Sequence, residues 1–574
     1  MALMIKYLRP MAKYMLIGLT IKTFGTVVEL VIPYILSHII DNVVPTQDVK
    51  MIVLWGVGMI ICSALALLGN VVANRMAART ARNCTQAIRH DLFKKTMHLS
   101  CRDADKITIP SLESRLTSDT YNLHHLIGMM QRIGVRAPLL LLGGIAITMI
   151  LDYRLSLVMV AILPPLVAIV VLISKKGIPL YSLVQSKVDK MTRVVREDSQ
   201  GIRVIKALSK KEHEIEHFDG ANSDLVKTER KVSFIMSISN PTMQMLLNIG
   251  LVGVVLVGGF LVNEGISKPG KIIAFLQYFT LISNAMMVMT RIFMMYSKGI
   301  ASANRISEVL DTESELSLCE KEDYPDISTT SHIEFKDVSF GYNVNKSVLN
   351  GINFSLKKGK TLGIIGATGS GKSTVIQLLM RFYDVESGGI YINGEDVRTI
   401  PSDELHKKFG VALQNDFIYA ATVRENIDFG RNLADEQIHA AATRAQAIEF
   451  IDEFPDGFNH EITSKGTNIS GGQKQRLLIS RALAADPEIL ILDDSSSALD
   501  YKTDLQLRRA INEITADMTV IIVAQRISSV KNADLIIVMD EGRVVDMGDD
   551  AHLLAHCDIY REISESQMGG AFVE

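Results

Sequence analysis

The sequence predicts a multi-domain membrane protein, in which a six-helix, all-α transmembrane domain is followed by an α/β domain of the P-loop type. Of the 574 residues, 48% are hydrophobic, and the mean hydropathy of +0.21 is high for a plain soluble enzyme. The apolar excess lies in the first half, in stretches near the length of a membrane span. The second half instead carries a glycine-rich loop between an apolar strand and a helix.

Six apolar windows in the first half approach the length of a membrane-crossing helix, for which about 20 residues are needed. An even number of crossings puts both ends of this domain on the same side of the membrane. The third window reaches span length only when its amphipathic flank, residues 126–134, is added. The windows are residues 15–40, 51–72, 137–151, 155–173, 245–262 and 272–295.

The connections between these windows differ in their content of Lys and Arg. The short connections, near residues 41–50, 152–154 and 263–271, hold few basic residues, whereas the two long connections hold many. An excess of basic residues marks the cytoplasmic side of a membrane protein. We therefore expect a multi-pass protein of the plasma membrane, with both termini, the long connections and the α/β domain in the cytoplasm.

Ionisable side chains interrupt the apolar windows. Lys22 and Glu29 lie in the first window, and Arg291 lies in the last. Because a charge exposed to lipid is unfavourable, we expect these side chains to face a bundle interior or a water-filled cavity. Methionines crowd the last two windows, where they form either an adaptable wall for apolar ligands or ordinary helix packing.

Charge and cysteine content argue against other classes of protein. A formal net charge of -3 and a pI near 6.5 give no support to nucleic-acid binding. The five cysteines have neither metal-ligand nor paired spacing, so we predict no chemistry for them. The first ten residues show no signal-peptide cleavage pattern and are expected to form a short interfacial helix.

The glycine-rich loop, residues 366–373, has the pattern G-x-x-x-x-G-K-S and lies between the apolar run 361–365 and a helical stretch. Its glycines let successive backbone N–H groups face a phosphate chain, and the helix N-terminus adds positive potential. Lys372 would reach the β- and γ-phosphates, and the Ser373 hydroxyl would bind Mg²⁺. The residues of this region predicted to bind a nucleotide are Gly366, Ala367, Thr368, Gly369, Ser370, Gly371, Lys372, Ser373 and Thr374.

A second motif, Ser470-Gly471-Gly472-Gln473, precedes the apolar strand 489–492, which ends in Asp493 and Asp494. In these residues the chain resembles the ATPase domain of ABC transporters, whose S-G-G-Q signature is followed by a Walker B strand. The first half resembles the transmembrane domain of ABC exporters. The resemblance implies that ATP is the nucleotide and that the signature contacts the γ-phosphate held by a second ATPase domain. Because one phosphate-binding loop is present, a second exporter half is implied as partner.

The same resemblance assigns roles to further positions. Tyr342 matches the aromatic residue that stacks on adenine, and Gln414 matches the glutamine that contacts Mg²⁺ and the attacking water. Asp493 matches the carboxylate that holds Mg²⁺ through water, as a hard cation requires. Residues 497–500 match a loop that crosses the dimer interface.

The resemblance also implies how the domains are divided and connected. The predicted transmembrane domain is residues 1–306, the ATPase domain is residues 331–574, and the acidic stretch 307–330 between them is a linker. Residues 108–119 and 194–206 match the segments that dock on the ATPase domains and carry motion to the spans.

Two positions depart from the pattern of an active ATPase. The family normally has Glu where this chain has Asp494, and a switch His where this chain has Gln525. One methylene less withdraws the carboxylate by ~1 Å, and a displacement on that scale can lower a rate by about 10²-fold. An imidazole can trade a proton with the γ-phosphate, whereas an amide offers only a neutral N–H. The predicted catalytic positions are Asp494, Gln525 and Gln414, and the chain resembles the degenerate-site subunit of heterodimeric multidrug ABC exporters.

Three functions remain open on the sequence. The first is one subunit of a heterodimeric exporter that moves amphipathic or apolar solutes, of the drug, lipid or peptide class, out of the cytoplasm. The second is a homodimeric exporter or lipid flippase with slow hydrolysis, and the third is a membrane ATP sensor that does not transport. The partners expected are a second exporter half, membrane lipid and a small amphipathic substrate, and no nucleic acid.

Overall fold

In the computed structural model, the chain divides into a helical unit and an α/β unit. The described residues are 2–313, 316, 318–342, 346–414, 416–494, 501–514 and 518–568. The first unit comprises Met1–Met97 and Ile109–Thr312, and the second comprises His98–Thr108 and Glu313–Glu574.

Long helices build the first unit, because a helix satisfies every backbone N–H and C=O within its own segment, as an apolar environment demands. Proline is tolerated inside several of them, for example at Pro33 and Pro138. The helices from the N-terminus are α1 (Ala2–Leu8), α2 (Ala12–His38), α3 (Val49–Met97), α4 (Cys101–Ile107), α5 (Ile109–Ser114), α6 (Thr120–Leu151), α7 (Tyr153–Ala207), α8 (Lys211–Ser237), α9 (Ser239–Asn263) and α10 (Pro269–Leu310).

Within the described part of the chain, five helical stretches are long and apolar enough to cross a membrane. A further stretch, Tyr153–Ile169, is apolar but shorter. It corresponds to the predicted window 155–173, which soon meets Lys175 and Lys176. The count of six spans therefore stays a prediction. The five stretches are Leu3–Thr46, Val49–Met97, Ile109–Leu151, Pro241–Asn263 and Pro269–Met289.

Helices α2, α6 and α10 pack as one bundle. The buried hydroxyl of Tyr278 on α10 donates to the backbone oxygen of Leu30 on α2, at 2.6 Å. Apolar side chains of all three helices form a shared core around Leu30, Ala137 and Ala274. At the start of α6, Arg305 Nε donates to Asp119 Oδ2 at 2.7 Å, which holds α10 to that end of the bundle.

Helix α4 is grouped with the second unit. Its Asp105 accepts a hydrogen bond of 2.7 Å from the Tyr383 hydroxyl, and the sequence analysis did not single it out. Of the two segments predicted to dock on ATPase domains, residues 108–119 lie in the first unit from Ile109 onward, and residues 194–206 are part of α7 in that same unit. Their docking stays a prediction.

The second unit contains a six-stranded sheet with the order β12-β11-β3-β10-β9-β6 and a four-stranded sheet with the order β2-β1-β4-β5. In the larger sheet the central strands are parallel and their apolar runs are buried, as expected for a sheet covered on both faces. The strands are β1 (Ile333–Phe340), β2 (Leu349–Leu356), β3 (Thr361–Gly366), β4 (Ser387–Ile392), β5 (Glu395–Asp396), β6 (Phe409–Ala412), β7 (Ala421–Thr422), β8 (Glu461–Ile462), β9 (Ile489–Asp493), β10 (Thr519–Val523), β11 (Leu535–Asp540) and β12 (Arg543–Gly548).

Helices of the second unit follow these strands and cover the sheet. Two of them begin at predicted motifs, since α11 starts at Lys372 of the phosphate-binding loop and α16 starts at Gly471 of the signature. The helices are α11 (Lys372–Leu379), α12 (Ser402–Lys407), α13 (Val423–Asp428), α14 (Asp435–Arg444), α15 (Ile448–Asp452), α16 (Gly471–Leu483), α17 (Tyr501–Ile514), α18 (Ile527–Val530), α19 (Asp550–His556) and α20 (Asp558–Met568).

Candidate nucleotide-binding site

The carboxyl ends of β3, β10 and β9 meet at one edge of the large sheet. Val523 at the end of β10 pairs with Ile364 of β3 on one side and with Asp493 of β9 on the other. Ligands of parallel α/β sheets bind at this edge, where the strand ends and the following loops converge. The register therefore brings three predicted motifs together, although they are far apart in sequence.

A cavity of about 310 Å³ lies at this edge. Val348, Val523 and Ala524, which the sequence analysis did not name, contribute to its wall. Gly366 and Ala367 line an adjoining cavity, and Ser370, within the loop, is buried. The predicted residues that line the main cavity are Thr368, Gly369, Gly371, Lys372, Ser373, Thr374, Gln414, Asp493, Asp494 and Gln525.

The phosphate-binding loop depends on glycine at two of these positions. Gly369 and Gly371 have φ of +86° and +97°, which L side chains rarely adopt. A Cβ on Gly371 would also lie 2.5 Å from a methyl group of Leu349. These constraints fix the path of the loop ahead of α11.

The ammonium group of Lys372 is hydrogen-bonded to the backbone of the loop. Its Nζ donates to the oxygens of Gly366 and Ala367, at 2.9 and 2.7 Å. Burial lowers the pKa of Lys372, and the carboxylates of Asp493 and Asp494 oppose that effect. The lysine is therefore held in position by neutral acceptors while its charge faces the acidic side of the cavity.

The acidic side of the cavity consists of Asp493 and Asp494. Burial raises the pKa of Asp493, and a hydrogen bond from the Ser373 hydroxyl opposes the shift. Burial also raises the pKa of Asp494, against the charges of Arg526 and Lys372. A carboxylate beside a hydroxyl is a pair of oxygen ligands of the kind that Mg²⁺ prefers.

Asp494 is held by two amides. The Nε2 groups of Gln414 and Gln525 both donate to its Oδ2, at 3.2 and 3.3 Å. Its backbone has φ of +48°, and its N–H donates to the oxygen of Val523 at 2.8 Å. The two positions that depart from the active ATPase pattern are therefore in direct contact with each other.

Tyr342 lies outside the cavity wall, next to α11. Its hydroxyl donates to Gln377 Oε1 at 2.6 Å, and its ring packs edge-on against Phe340 and Tyr383. Tyr342 is 38% exposed, which leaves part of the ring accessible for stacking.

The signature, residues 470–473, does not line this cavity. Ser470 caps α16, where its Oγ accepts from the Gln473 N–H at 3.2 Å and Gln473 Oε1 accepts from the Ser470 N–H at 2.9 Å. This reciprocal capping box fixes the exposed tip of α16. The predicted interface loop, residues 497–500, lies outside the described residues.

A further residue that contacts the site, Gln567, was missed by sequence reasoning. Gln567 of α20 donates through Nε2 to the backbone oxygen of Gln525 at 2.8 Å, and its Oε1 accepts from the Ile527 N–H at 2.9 Å. The side chain thus holds the backbone on both sides of Arg526. No local pattern marks this position, because the contact joins residues about 40 apart in sequence.

Comparisons with known proteins match both halves of the chain to ABC transporters. The family profile "ABC transporter transmembrane region" matches residues 15–286, and the profile "ABC transporter" matches residues 349–497. The Bacillus subtilis (strain 168) protein "Uncharacterized ABC transporter ATP-binding protein YfiB" is 32% identical over 568 residues, which cover 98% of each chain. The Streptococcus pneumoniae protein "Putative ABC transporter ATP-binding protein exp8" is 29% identical over 573 residues, covering 99% of this chain and 97% of that protein.

A solved structure shares the fold. It is described as a bacterial Atm1-family ABC exporter with ATP bound, and it superposes with a TM-score of 0.81 over 98% of each chain. Its sequence identity is 21%, so the likeness concerns the fold alone.

Proposed function

The chain belongs to the ABC transporter family, and from this premise we propose that it is the slowly hydrolysing half of a heterodimeric exporter. Both halves of the chain match the family, and a relative is 32% identical along its length. The transmembrane region is fused to the ATPase domain, so the protein is a membrane transporter that couples ATP hydrolysis to transport.

The pair Asp494 and Gln525 is the observation that supports slow hydrolysis. Asp494 is shorter by one methylene than the family's Glu, and retraction of a base by ~1 Å can lower a rate by about 10²-fold. Its Oδ2 accepts from both Gln414 and Gln525, so the carboxylate is engaged by neutral amides. Gln525 also has no titratable nitrogen with which to exchange a proton.

The remaining residues of the cavity fit MgATP. Ser370 Oγ is buried and has no hydrogen-bond partner among the described residues, as expected of a group that faces a phosphate. We propose that Lys372 and the backbone of residues 366–373 hold the phosphates and that Tyr342 stacks on adenine. Ser373, Asp493 and Gln414 would hold Mg²⁺, which when bound neutralises phosphate charge.

The signature motif is proposed to act outside this chain's own pocket. Ser470 and Gln473 lie at an exposed, rigid helix start and line no part of the cavity just described. In a dimer of two ATPase domains this tip would complete the partner's site. We propose a partner with Glu and His at the two altered positions, so that one composite site hydrolyses quickly and the other retains ATP.

The setting of the protein is part of the proposal. We place both termini and the ATPase domain in the cytoplasm and the spans in the plasma membrane, on the distribution of basic residues. Residues 1–306 form the transmembrane domain, 307–330 the linker and 331–574 the ATPase domain. The substrates proposed are small amphipathic or apolar solutes.

The ATPase activity of the purified full-length chain, with and without its partner, tests the proposal. We expect slow phosphate release from the chain alone and a large increase when the partner is present. Robust turnover by the chain alone that Asp494→Asn abolishes would instead establish a homodimeric exporter. Asp403→Asn, at an exposed aspartate of α12, is the matched control and should leave turnover unchanged.

Uptake into inside-out vesicles tests transport itself. We expect ATP-dependent accumulation of an amphipathic dye in vesicles that contain both halves. ATP binding without accumulation of any amphiphile tried would favour the membrane sensor.

A further inference from the structure

A group of polar and charged side chains lies within the first unit, between α2, α3 and α6. We call it the basic cluster and define it as Lys22, Glu29, Asn70, Asn74, Arg132 and Arg136. Lys22 and Glu29 stand out in the sequence because charges are rare in apolar helices. The structure adds the residues that surround them.

The cluster is built by the close approach of α2 and α3. A Cβ on Gly25 would lie 3.3 Å from the backbone nitrogen of Asn70, and a Cβ on Gly69 would lie 3.3 Å from the Gly25 Cα. Small residues at both positions let the two backbones touch. One turn away, this contact places Lys22 Nζ at 2.7 Å from Asn70 Oδ1 and 3.1 Å from Asn74 Oδ1.

Positive charge in the cluster exceeds negative charge. Arg136 pairs with Glu29 through two hydrogen bonds, of 2.6 and 3.3 Å, so these two charges cancel. Lys22 is 4% exposed and contacts neutral amide oxygens, and Arg132 Nε donates to the Gly128 oxygen at 3.0 Å. Among the described residues neither of these two cations forms an ion pair with a carboxylate.

The cluster has three cations and one anion, which leaves two positive charges. Arg132, Arg136 and Glu29 are the charged groups that act on Lys22 electrostatically. Lys22 is the buried member of the cluster, and a charge removed from water without a counter-charge is strongly unfavourable; in membrane helices such groups mark ligand or ion pathways. A bound anion would supply the missing negative charge.

The position of the cluster along the helices indicates which kind of anion it binds. Asn70 and Asn74 flank the end of the apolar window 51–72, and Arg136 immediately precedes the window 137–151. The cluster therefore extends from the ends of the apolar runs 51–72 and 137–151 to Lys22 and Glu29 within the window 15–40. The end of an apolar run is the level at which an amphiphile places its polar group. Arg136 is 44% exposed at its side chain, so a ligand can reach the cluster.

We propose that the basic cluster binds the acidic group, a carboxylate or phosphate, of an amphiphile that the exporter moves. The inference rests on the proposed export of amphipathic solutes and narrows them to anionic ones. Arg132 and Arg136 receive the acidic group, and the buried Lys22 supplies a fixed positive charge. Cationic amphiphiles are excluded by the same charge.

Equilibrium binding to the purified full-length chain in phosphatidylcholine nanodiscs tests the proposal. The probes are radiolabelled dodecyl phosphate and dodecyltrimethylammonium, which have equal tails and opposite charge. We expect dodecyl phosphate to bind at least about tenfold more tightly than the cation. Equal binding of the two probes would overturn the proposal.

Variants locate the site. Lys22→Met and Arg132→Gln are each expected to weaken dodecyl phosphate binding by about tenfold. Lys50→Met, at an exposed lysine outside the cluster, removes the same charge and should leave binding unchanged. Equal affinity of all three variants and the parent would overturn the proposal.

Glu29→Gln distinguishes loss of the ligand site from misfolding, because its expected effect is a gain in binding. Because it removes the competing carboxylate from Arg136, we expect it to tighten dodecyl phosphate binding, an effect that a purely structural cluster would not produce. Unchanged or weaker binding would contradict the assignment. The binding assay contains neither ATP nor a partner, so this result is independent of whether the hydrolytic asymmetry proposed above is correct.

A last comparison identifies the source of the acidic group. Dodecyl phosphate binding that persists in phosphatidylglycerol nanodiscs supports a transported solute as the ligand. Loss of binding in those nanodiscs would overturn this choice and assign the cluster to an anionic bilayer lipid.

Discussion

Two parts of the nucleotide site hold their functional groups in different ways. One is the phosphate-binding loop, residues 366–373, and the other is the hydrolytic corner, which we define as Gln414, Asp494 and Gln525. The loop is fixed by glycine conformations and by Lys372 on two backbone oxygens. The hydrolytic corner consists of side chains alone, where Gln414 and Gln525 donate to a single oxygen of Asp494. In the proposed function, nucleotide affinity therefore depends on the loop backbone together with Lys372, whereas turnover depends on the reach and chemistry of Asp494 and Gln525. A chain can lose the second property and keep the first.

The largest effect is expected from restoring the hydrolytic corner. The double variant Asp494→Glu with Gln525→His should raise the rate of phosphate release by about 10²-fold, because the carboxylate regains ~1 Å of reach. Steady-state ATPase assays on the purified protein measure it. Gln525→His alone is the control and should give a smaller gain, since the base stays short. No gain from the double variant would mean that the two side chains do not limit turnover.

The next effect concerns the loop. Lys372→Ala should weaken ATP binding by about tenfold to a hundredfold, because charge-assisted contacts with the phosphates are lost. Titration with a fluorescent ATP analogue measures the affinity. Lys357→Ala, an exposed lysine of the same domain, is the control.

Transport assays compare Lys372→Ala in this chain with the equivalent change in the partner. Lys372→Ala should leave a larger share of transport than the equivalent change in the partner, because the proposal assigns hydrolysis to the partner's loop. Equal loss from both changes would contradict unequal sites.

A smaller effect is expected at the contact of α20 with the hydrolytic corner. Gln567→Ala removes both hydrogen bonds to the backbone around Arg526 and should speed hydrogen exchange at the Ile527 N–H by about tenfold. Exchange measured by mass spectrometry on peptides that contain Ile527 tests this. Gln567→Glu keeps the acceptor for Ile527 and should protect that amide better than Gln567→Ala.

The smallest effect is a pH-dependent change in stability. Burial raises the pKa of Asp493, so the folded protein disfavours the ionised carboxylate. At pH 7 without nucleotide, Asp493→Asn should therefore raise the thermal unfolding midpoint by about 2 °C. The gain should shrink as pH falls through the raised pKa, because protonation then removes the same penalty from the parent protein.

Differential scanning fluorimetry from pH 7 down toward the ordinary Asp pKa of about 4 measures this trend. Asp403→Asn, at an exposed aspartate, should show no such trend. A gain that grows toward acid pH would contradict the direction of the shift.

Sequence reasoning located the elements that are local in the chain, both in the cavity and at the signature. The loop at 366–373, the strand ending in Asp493 and the capped helix at Ser470 follow from short patterns in which neighbouring residues dictate the backbone. The parallel register then places Gln525 beside Asp494, as the family resemblance implied.

Contacts between distant residues could not be predicted in the same way. Glu29 and Arg136 are 107 positions apart, and nothing around either residue indicates the other. Helix α4 was overlooked because a short charged helix resembles any solvated connection. The fourth span stays undecided for a physical reason, since its apolar stretch is short and basic residues follow it.

The contact of Gly25 with Gly69 has a mechanical consequence. Because the backbones of α2 and α3 touch there, neither helix can slide along the other without a steric clash. We therefore expect α2 and α3 to move as one body during the conformational cycle of the transporter.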